Sequence, residues 1–118
     1  MVVDSVSAYA ATFDVEPREL RDLLRSAIGL LKADRVTSLH IVESHGLSGV
    51  GRILGQLAPS SLFDNVVKLV RSGRHQPSPL LLEVVKLRGN PVPSGPRPCE
   101  VVSGVGVRVT PAVPFAAA

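Results

Sequence analysis

Asp4 is the first residue of this chain whose placement suggests chemistry. It closes the apolar run Met1-Val2-Val3 and leads into Ser5-Val6-Ser7. An apolar strand ending on an acid can hold a carboxylate toward Mg²⁺ at the rim of a parallel sheet. A second stretch, His45-Gly46-Leu47-Ser48-Gly49-Val50-Gly51-Arg52-Ile53, follows a strand-like segment and reads like a phosphate-binding loop. Such loops use Gly so that backbone N–H groups converge on phosphate, then a Lys and a Ser/Thr for the metal. Here Arg52 and Ile53 stand in those places. Ile binds no metal, and the acidic strand should follow the loop rather than precede it. A surface loop is the expected form.

The remaining chemistry-bearing residues are scattered. His40, His45 and His75 have no Cys partner at metal-ligand spacing, and His40 is expected as a core histidine in a strand. Ser5, Ser7, Ser60 and Ser61 have no nearby base in sequence, so no nucleophile is argued. The single Cys99 excludes an internal disulfide and fits a reducing, cytoplasmic compartment.

Composition bounds the scaffold that must position these groups. The chain has 118 residues, of which 45% are hydrophobic, with no Trp, one Tyr and three Phe. Val and Leu therefore supply the core, and Val density favours sheet. No apolar stretch is long enough to span a bilayer, and no signal peptide is visible. The formal net charge is +3, unevenly spread. Residues 1–34 carry six acids and four bases, so the excess base lies beyond them.

The elements alternate along the chain. Val2–Ser7 is apolar without alternation and reads as a strand buried on both faces. Ala8–Val15 reads as a connection. Pro17 suits a first helical position and Glu19 the positive end of a helix. Leu20, Leu23, Leu24, Ala27, Ile28 and Leu31 then recur at helical spacing. Arg18, Arg21, Arg25 and Lys32 fall in a narrow arc on the opposite side; they could grip a phosphate backbone, but with Asp22 among them the plain expectation is a solvated face.

Val36–Glu43 is a second strand, so strand, helix and strand form a βαβ unit with parallel pairing. Residues 44–61 are glycine-loosened and end near Pro59. Phe63–Val70 and Leu80–Leu87 are further strands, separated by the turn-rich Ser72–Pro79. Gly89–Pro98 holds four prolines and two glycines, and Glu100–Val102 with Val105–Val109 makes a short β pair around a glycine turn. Residues 1–110 are expected to fold, with 111–118 a frayed tail.

At the second half the pattern becomes specific. Leu82-Glu83-Val84-Val85-Lys86-Leu87-Arg88-Gly89, followed by Pro98-Cys99-Glu100-Val101 and a glycine turn, resembles the end of a KaiC-type domain of the RecA-like ATPases. Val2–Ser7 is similar to that family's Walker B strand, and Phe63-Asp64-Asn65-Val66-Val67-Lys68-Leu69 to its aspartate–asparagine–valine strand. The resemblance spans about residues 2 to 110. It implies an α/β, RecA-like parallel-sheet half-domain, lacking the Walker A half, with a terminal β-hairpin.

By that resemblance Asp4 would hold Mg²⁺ through water, with Ser5 beside it. Lys86 and Arg88 would reach the ATP phosphates of a neighbouring subunit, and Ser60 and Ser61 match positions that some members phosphorylate. The implied partners are copies of the chain or full-length KaiC-like subunits in a hexameric ring. The implied chemistry is that of an ATPase or autokinase, with ATP and Mg²⁺ as cofactors and no turnover by the chain alone. Asn90-Pro91-Val92-Pro93 departs from the family, which places a small polar residue and a nucleotide-contacting His there. Two other expectations stand beside this one: a non-enzymatic module of such a ring, and a RecA-like nucleic-acid-binding fragment using Arg18, Arg21, Arg25 and Lys32.

Overall fold

Ser5 shows how local chemistry sets the first unit. In the computed structural model, which describes residues 1–43, 62–71 and 78–111, β1 (Val2–Val3) ends one residue before Asp4. Ser5 then takes an extended backbone and its Oγ accepts from the Ala8 N–H at 3.1 Å. That satisfies one of the donors left open at a helix start and begins α1 (Val6–Phe13). The strand expected over Val2–Ser7 is therefore short, and the expected connection over Ala8–Val15 is mostly helix. Ala8, Ala10 and Ala11 supply high helix propensity, and Asp14 closes the helix at a φ of 48°, its N–H bonded to the Ala10 carbonyl.

The second helix, α2 (Pro17–Ala33), starts and stops where its punctuation requires, with Pro17 in the first turn and Lys32 in the last. It buries Leu20, Leu24 and Ile28, one stripe at helical spacing. These join Val6, Ala10 and Leu62 in the core of the first unit, and Val3, Val15, Val42 and Phe63 pack against it. The chain then pairs β2 (Leu39–His40) in parallel with β1, Val2 opposite Leu39 and Val3 opposite His40. Main-chain bonds from Leu39 N to Met1 O and from Ile41 N to Val3 O, each 2.9 Å, carry the contact past the strand ends. The parallel pairing is as expected, although β2 is shorter than Val36–Glu43.

The chain divides into two compact units, Met1–Phe63 and Asp64–Ala118. The second unit is an antiparallel meander of β3 (Asn65–Arg71), β4 (Leu80–Leu87), β5 (Arg97–Val102) and β6 (Gly106–Val109), in that spatial order. Its last two strands are the expected hairpin. Gly104 (φ 75°) and Gly106 (φ 103°) make the turn, using backbone that other residues rarely adopt. One irregularity matters for function: Val66 lies opposite Lys86 but Val67 lies opposite Val84, so Val85 is the extra residue of a β-bulge. The tail beyond Pro111 lies outside the described residues.

Candidate functional site

Asp4 stands exposed at the carboxyl end of β1, the rim at which a parallel strand presents a ligand. Ser5 beside it is buried, with its oxygen engaged as the cap of α1. The cap bond uses a lone pair and leaves the hydroxyl proton, so Ser5 fixes the turn that follows Asp4. Ser7 does related work one step on: its Oγ accepts from Glu43 N at 2.7 Å and donates to Glu43 O at 3.2 Å. Two serines thus tie the segment after Asp4 to the start of α1 and to the chain just beyond β2.

In the second unit the register brings two distant motifs together. Asp64 and Asn65 enter β3 at the same end at which Lys86 and Arg88 leave β4. The Arg88 backbone N–H donates to Asp64 O at 3.0 Å and to Asn65 Oδ1 at 3.3 Å. The Arg88 guanidinium donates through Nη1 to Asp64 Oδ1 at 2.6 Å. Arg88 is thus paired with Asp64 of its own chain, while its side chain remains 73% exposed. The pairing follows from the register, which sets residues 65–71 antiparallel to 80–87 and so brings 64 beside 88.

The bulge decides which face these groups occupy. Strict alternation along β4 would put Lys86 on the face of Leu82 and Val84. The extra residue Val85 moves Lys86 across, opposite Val66. Lys86 and Arg88 therefore share a face with Asp64, Lys68 and Glu83, and farther along with Glu100 and Arg108. Arg108 donates to Glu100 Oε1 through both Nε (2.8 Å) and Nη2 (2.6 Å). The opposite face is apolar apart from Asn65, Arg71 and Arg97.

The other sequence candidates fall as follows. His40 is in β2 as expected, half-buried, with Nε2 3.0 Å from Ser38 Oγ and its ring 5.7 Å from that of Phe63. Its Nδ1 is buried without a hydrogen-bond partner. Burial lowers its pKa from the ordinary 6.5, and the positive amino terminus lowers it further. Cys99 is buried in β5. Ser60, Ser61, His45, His75 and the glycine-rich stretch 46–53 lie outside the described residues. Among the described residues no group of three or more His, Cys, Asp or Glu could hold a metal ion. Nor is any helix among them long and apolar enough to cross a membrane.

The parallel β1–β2 pair with its helices and the antiparallel meander share the fold of part of a KaiC-like protein of known structure. A solved structure carries that statement: a KaiC-like protein from the hyperthermophilic archaeon Pyrococcus horikoshii, with a TM-score of 0.70 over 93% of this chain. Sequence identity is 23%, so the likeness is one of fold. The present chain spans 48% of that chain's length. No family model matches the sequence, and no curated protein does either.

Proposed function

We propose that this chain forms the part of a KaiC-like ATPase domain that runs from the Walker B strand to the carboxyl terminus. Asp4 orients Mg²⁺ through water on one subunit. Lys86 and Arg88 serve the ATP phosphates of a neighbouring subunit in a ring of such domains. The observation that carries this reading is the cluster at the end of β4. There Asp64 and Asn65 fix the Arg88 backbone and one guanidinium nitrogen, and among the described residues Nε and Nη2 make no hydrogen bond. A guanidinium held by its own chain loses less freedom when it meets phosphate. A cation delivered in trans stabilises charge on the transferring γ-phosphoryl group and makes hydrolysis depend on assembly.

Nucleotide hydrolysis by this mechanism also needs a loop that grips the β- and γ-phosphates. In this sequence Arg52 and Ile53 stand where such a loop carries its Lys and Ser/Thr, so the isolated chain is expected to bind ATP weakly and not to turn it over. The test is reconstitution behind the Walker A half of a KaiC-like protein. Arg88→Ala and Asp4→Asn should each abolish most activity, and rings mixed from the two variants should recover part of it. In mixed rings one subunit lends its cation to the other's metal site. No recovery at any ratio, with assembly confirmed, would leave Lys86 and Arg88 as surface charges.

A further inference from the structure

The apolar face of the meander takes no part in the nucleotide reading, and its register lays out an interaction surface. Val84, Leu82 and Leu80 follow one another along that face of β4. Cys99 lies opposite Leu80 on β5, and Val101 and Val107 close the series on β5 and β6. The band therefore crosses the sheet diagonally. A rise of about 3.3 Å per residue and a spacing of about 4.8 Å between strands make it about 22 Å long. Val101 and Val107 are exposed at one end of it, and Val67 and Leu69 are exposed beside the other. An apolar sheet face of this kind is ordinarily packed against a second layer.

Two cations flank the band. Arg97 lies opposite Leu82 on the β5 side, and Arg71 lies opposite Leu80 on the β3 side. Arg71 donates through Nη1 to Ser78 O at 3.4 Å, a neutral partner that leaves its charge unbalanced. Arg97 makes no side-chain hydrogen bond or ion pair among the described residues. All ten Asp and Glu of the chain lie within the described residues, and none of them pairs with either arginine. The other face is built differently: Lys68 stands opposite Glu83, and Arg108 opposite Glu100. The apolar face thus presents unneutralised positive charge on both flanks of an apolar stripe.

We infer that this face binds an amphipathic helix of a partner protein, one whose apolar stripe is flanked by Asp or Glu. A helix covers about 22 Å in about 15 residues, and it can set charges on both sides of an apolar stripe. A second copy of the chain fits poorly. Isologous pairing of this face with itself gathers four arginines and no acid in one interface, and an unpaired charge is costly to bury. The exposed valines still bring free chains together, and an acidic helix displaces that contact. An anionic membrane is the other alternative. Membrane-interface anchors are rich in Trp and Tyr, and this face carries no aromatic residue. The flanking charges decide which helix is accepted more than how tightly it is held.

The experiment is fluorescence anisotropy of the full chain with two labelled helical peptides, each about 18 residues long. Both carry Leu at i, i+3, i+4 and i+7 spacing; one sets Glu on either flank of that stripe and the other sets Lys. The Glu peptide should bind about tenfold more tightly at low salt, and the preference should shrink as salt screens it. Arg97→Gln disturbs no side-chain bond and should cut the preference to about threefold; adding Arg71→Gln should bring it to about twofold or less. Val101→Thr with Val107→Thr keeps β-branched side chains and should weaken both peptides about fivefold. Hydrogen exchange of the β3 and β4 amides checks that the sheet is intact. Lys68→Gln, on the opposite face, should leave both affinities within about twofold. Saturating Glu peptide should also convert self-associated chains to one-to-one complexes in sedimentation velocity.

Absence of binding by the Glu peptide, or equal affinity for the two peptides, overturns the inference. So does a preference that survives loss of both arginines. Oligomers that persist with the Glu peptide bound overturn it in favour of a second copy of the chain. Binding to phosphatidylserine vesicles without binding to the Glu peptide overturns it in favour of a lipid surface.

Discussion

Replacing Arg88 by Gln separates a guanidinium kept for folding from one kept for phosphate. The substitution removes one ion pair, Nη1 to Asp64 Oδ1 at 2.6 Å, whose side chains are 73% and 37% exposed. Exposed pairs of this kind contribute about 0.2–1 kcal/mol. The two bonds from the Arg88 backbone N–H to Asp64 O and Asn65 Oδ1 do not involve the side chain and survive. The sheet should therefore lose less than about 1 kcal/mol, a change of about fivefold in its opening equilibrium.

Hydrogen exchange of the β3 and β4 amides reads that unit directly. The helices among the described residues lie in the other unit, so the helix band of circular dichroism does not report on the sheet. A double-mutant cycle with Asp64→Asn should return a coupling of the same small size. In a reconstituted ring the same Arg88→Gln should slow turnover on the order of 10³-fold, about 4 kcal/mol of barrier. The two effects differ several-fold in energy and cannot be confused. A protection loss of about 30-fold or more, near 2 kcal/mol, with coupling to match, would make Arg88 a structural residue and remove the case for phosphate.

Three further outcomes follow from the first unit. Leu20 is 2% exposed at the centre of a small core, so Leu20→Ala should cost about 3–5 kcal/mol and abolish helical signal in a urea series well before the wild type loses it. Ser5→Ala removes the α1 cap and should cost about 1 kcal/mol, read as an earlier loss of helix, with Ser5→Asp restoring much of it. His40 is held neutral by burial, with its pKa below the ordinary 6.5. An unfolded chain then binds the proton more readily than the folded one. Stability should be full above about pH 6.5 and fall as pH drops from there toward the lowered value, a slope that His40→Gln should remove in thermal melts.

What could be read from sequence was what local pattern encodes. Leu20, Leu24 and Ile28 recur at helical spacing, and α2 appears with its expected start at Pro17. Leu80–Leu87 is a strand to the residue, because a Leu- and Val-rich run between turn signals, interrupted only by Glu83 and Lys86, has few alternatives. α1 was hidden for a physical reason. It buries only Val6 and Ala10, while the rings of Tyr9 and Phe13 meet in a tilted contact at 4.8 Å and remain exposed. With apolar groups all round, no stripe marks it as a helix. The Val85 bulge was equally hidden, since an inserted residue leaves no local signature and is defined only against the partner strand. Of the candidate site, Asp4 was legible from its strand, but the Arg88–Asp64 pair depends on a register that joins residues 24 apart.

That register also divides the meander into two unlike faces, and the division has a measurable consequence. One face carries the cross-strand charges, and the other carries Val67, Leu69, Val84, Val101, Val107 and Val109. An apolar sheet face must be covered to be stable in water, yet Val101 is 74% exposed and Val107 opposite it 56% exposed. Patches of this kind drive association. The chain should therefore self-associate at micromolar concentration in sedimentation velocity. Val101→Lys with Val107→Glu places opposite charges across the β5–β6 ladder, where such a pair contributes about 0.2–1 kcal/mol rather than disrupting it. The double variant should keep the exchange protection of the hairpin and shift the distribution toward monomer. A wild-type chain that stays monomeric over the whole concentration range would show that the exposed valines drive no assembly.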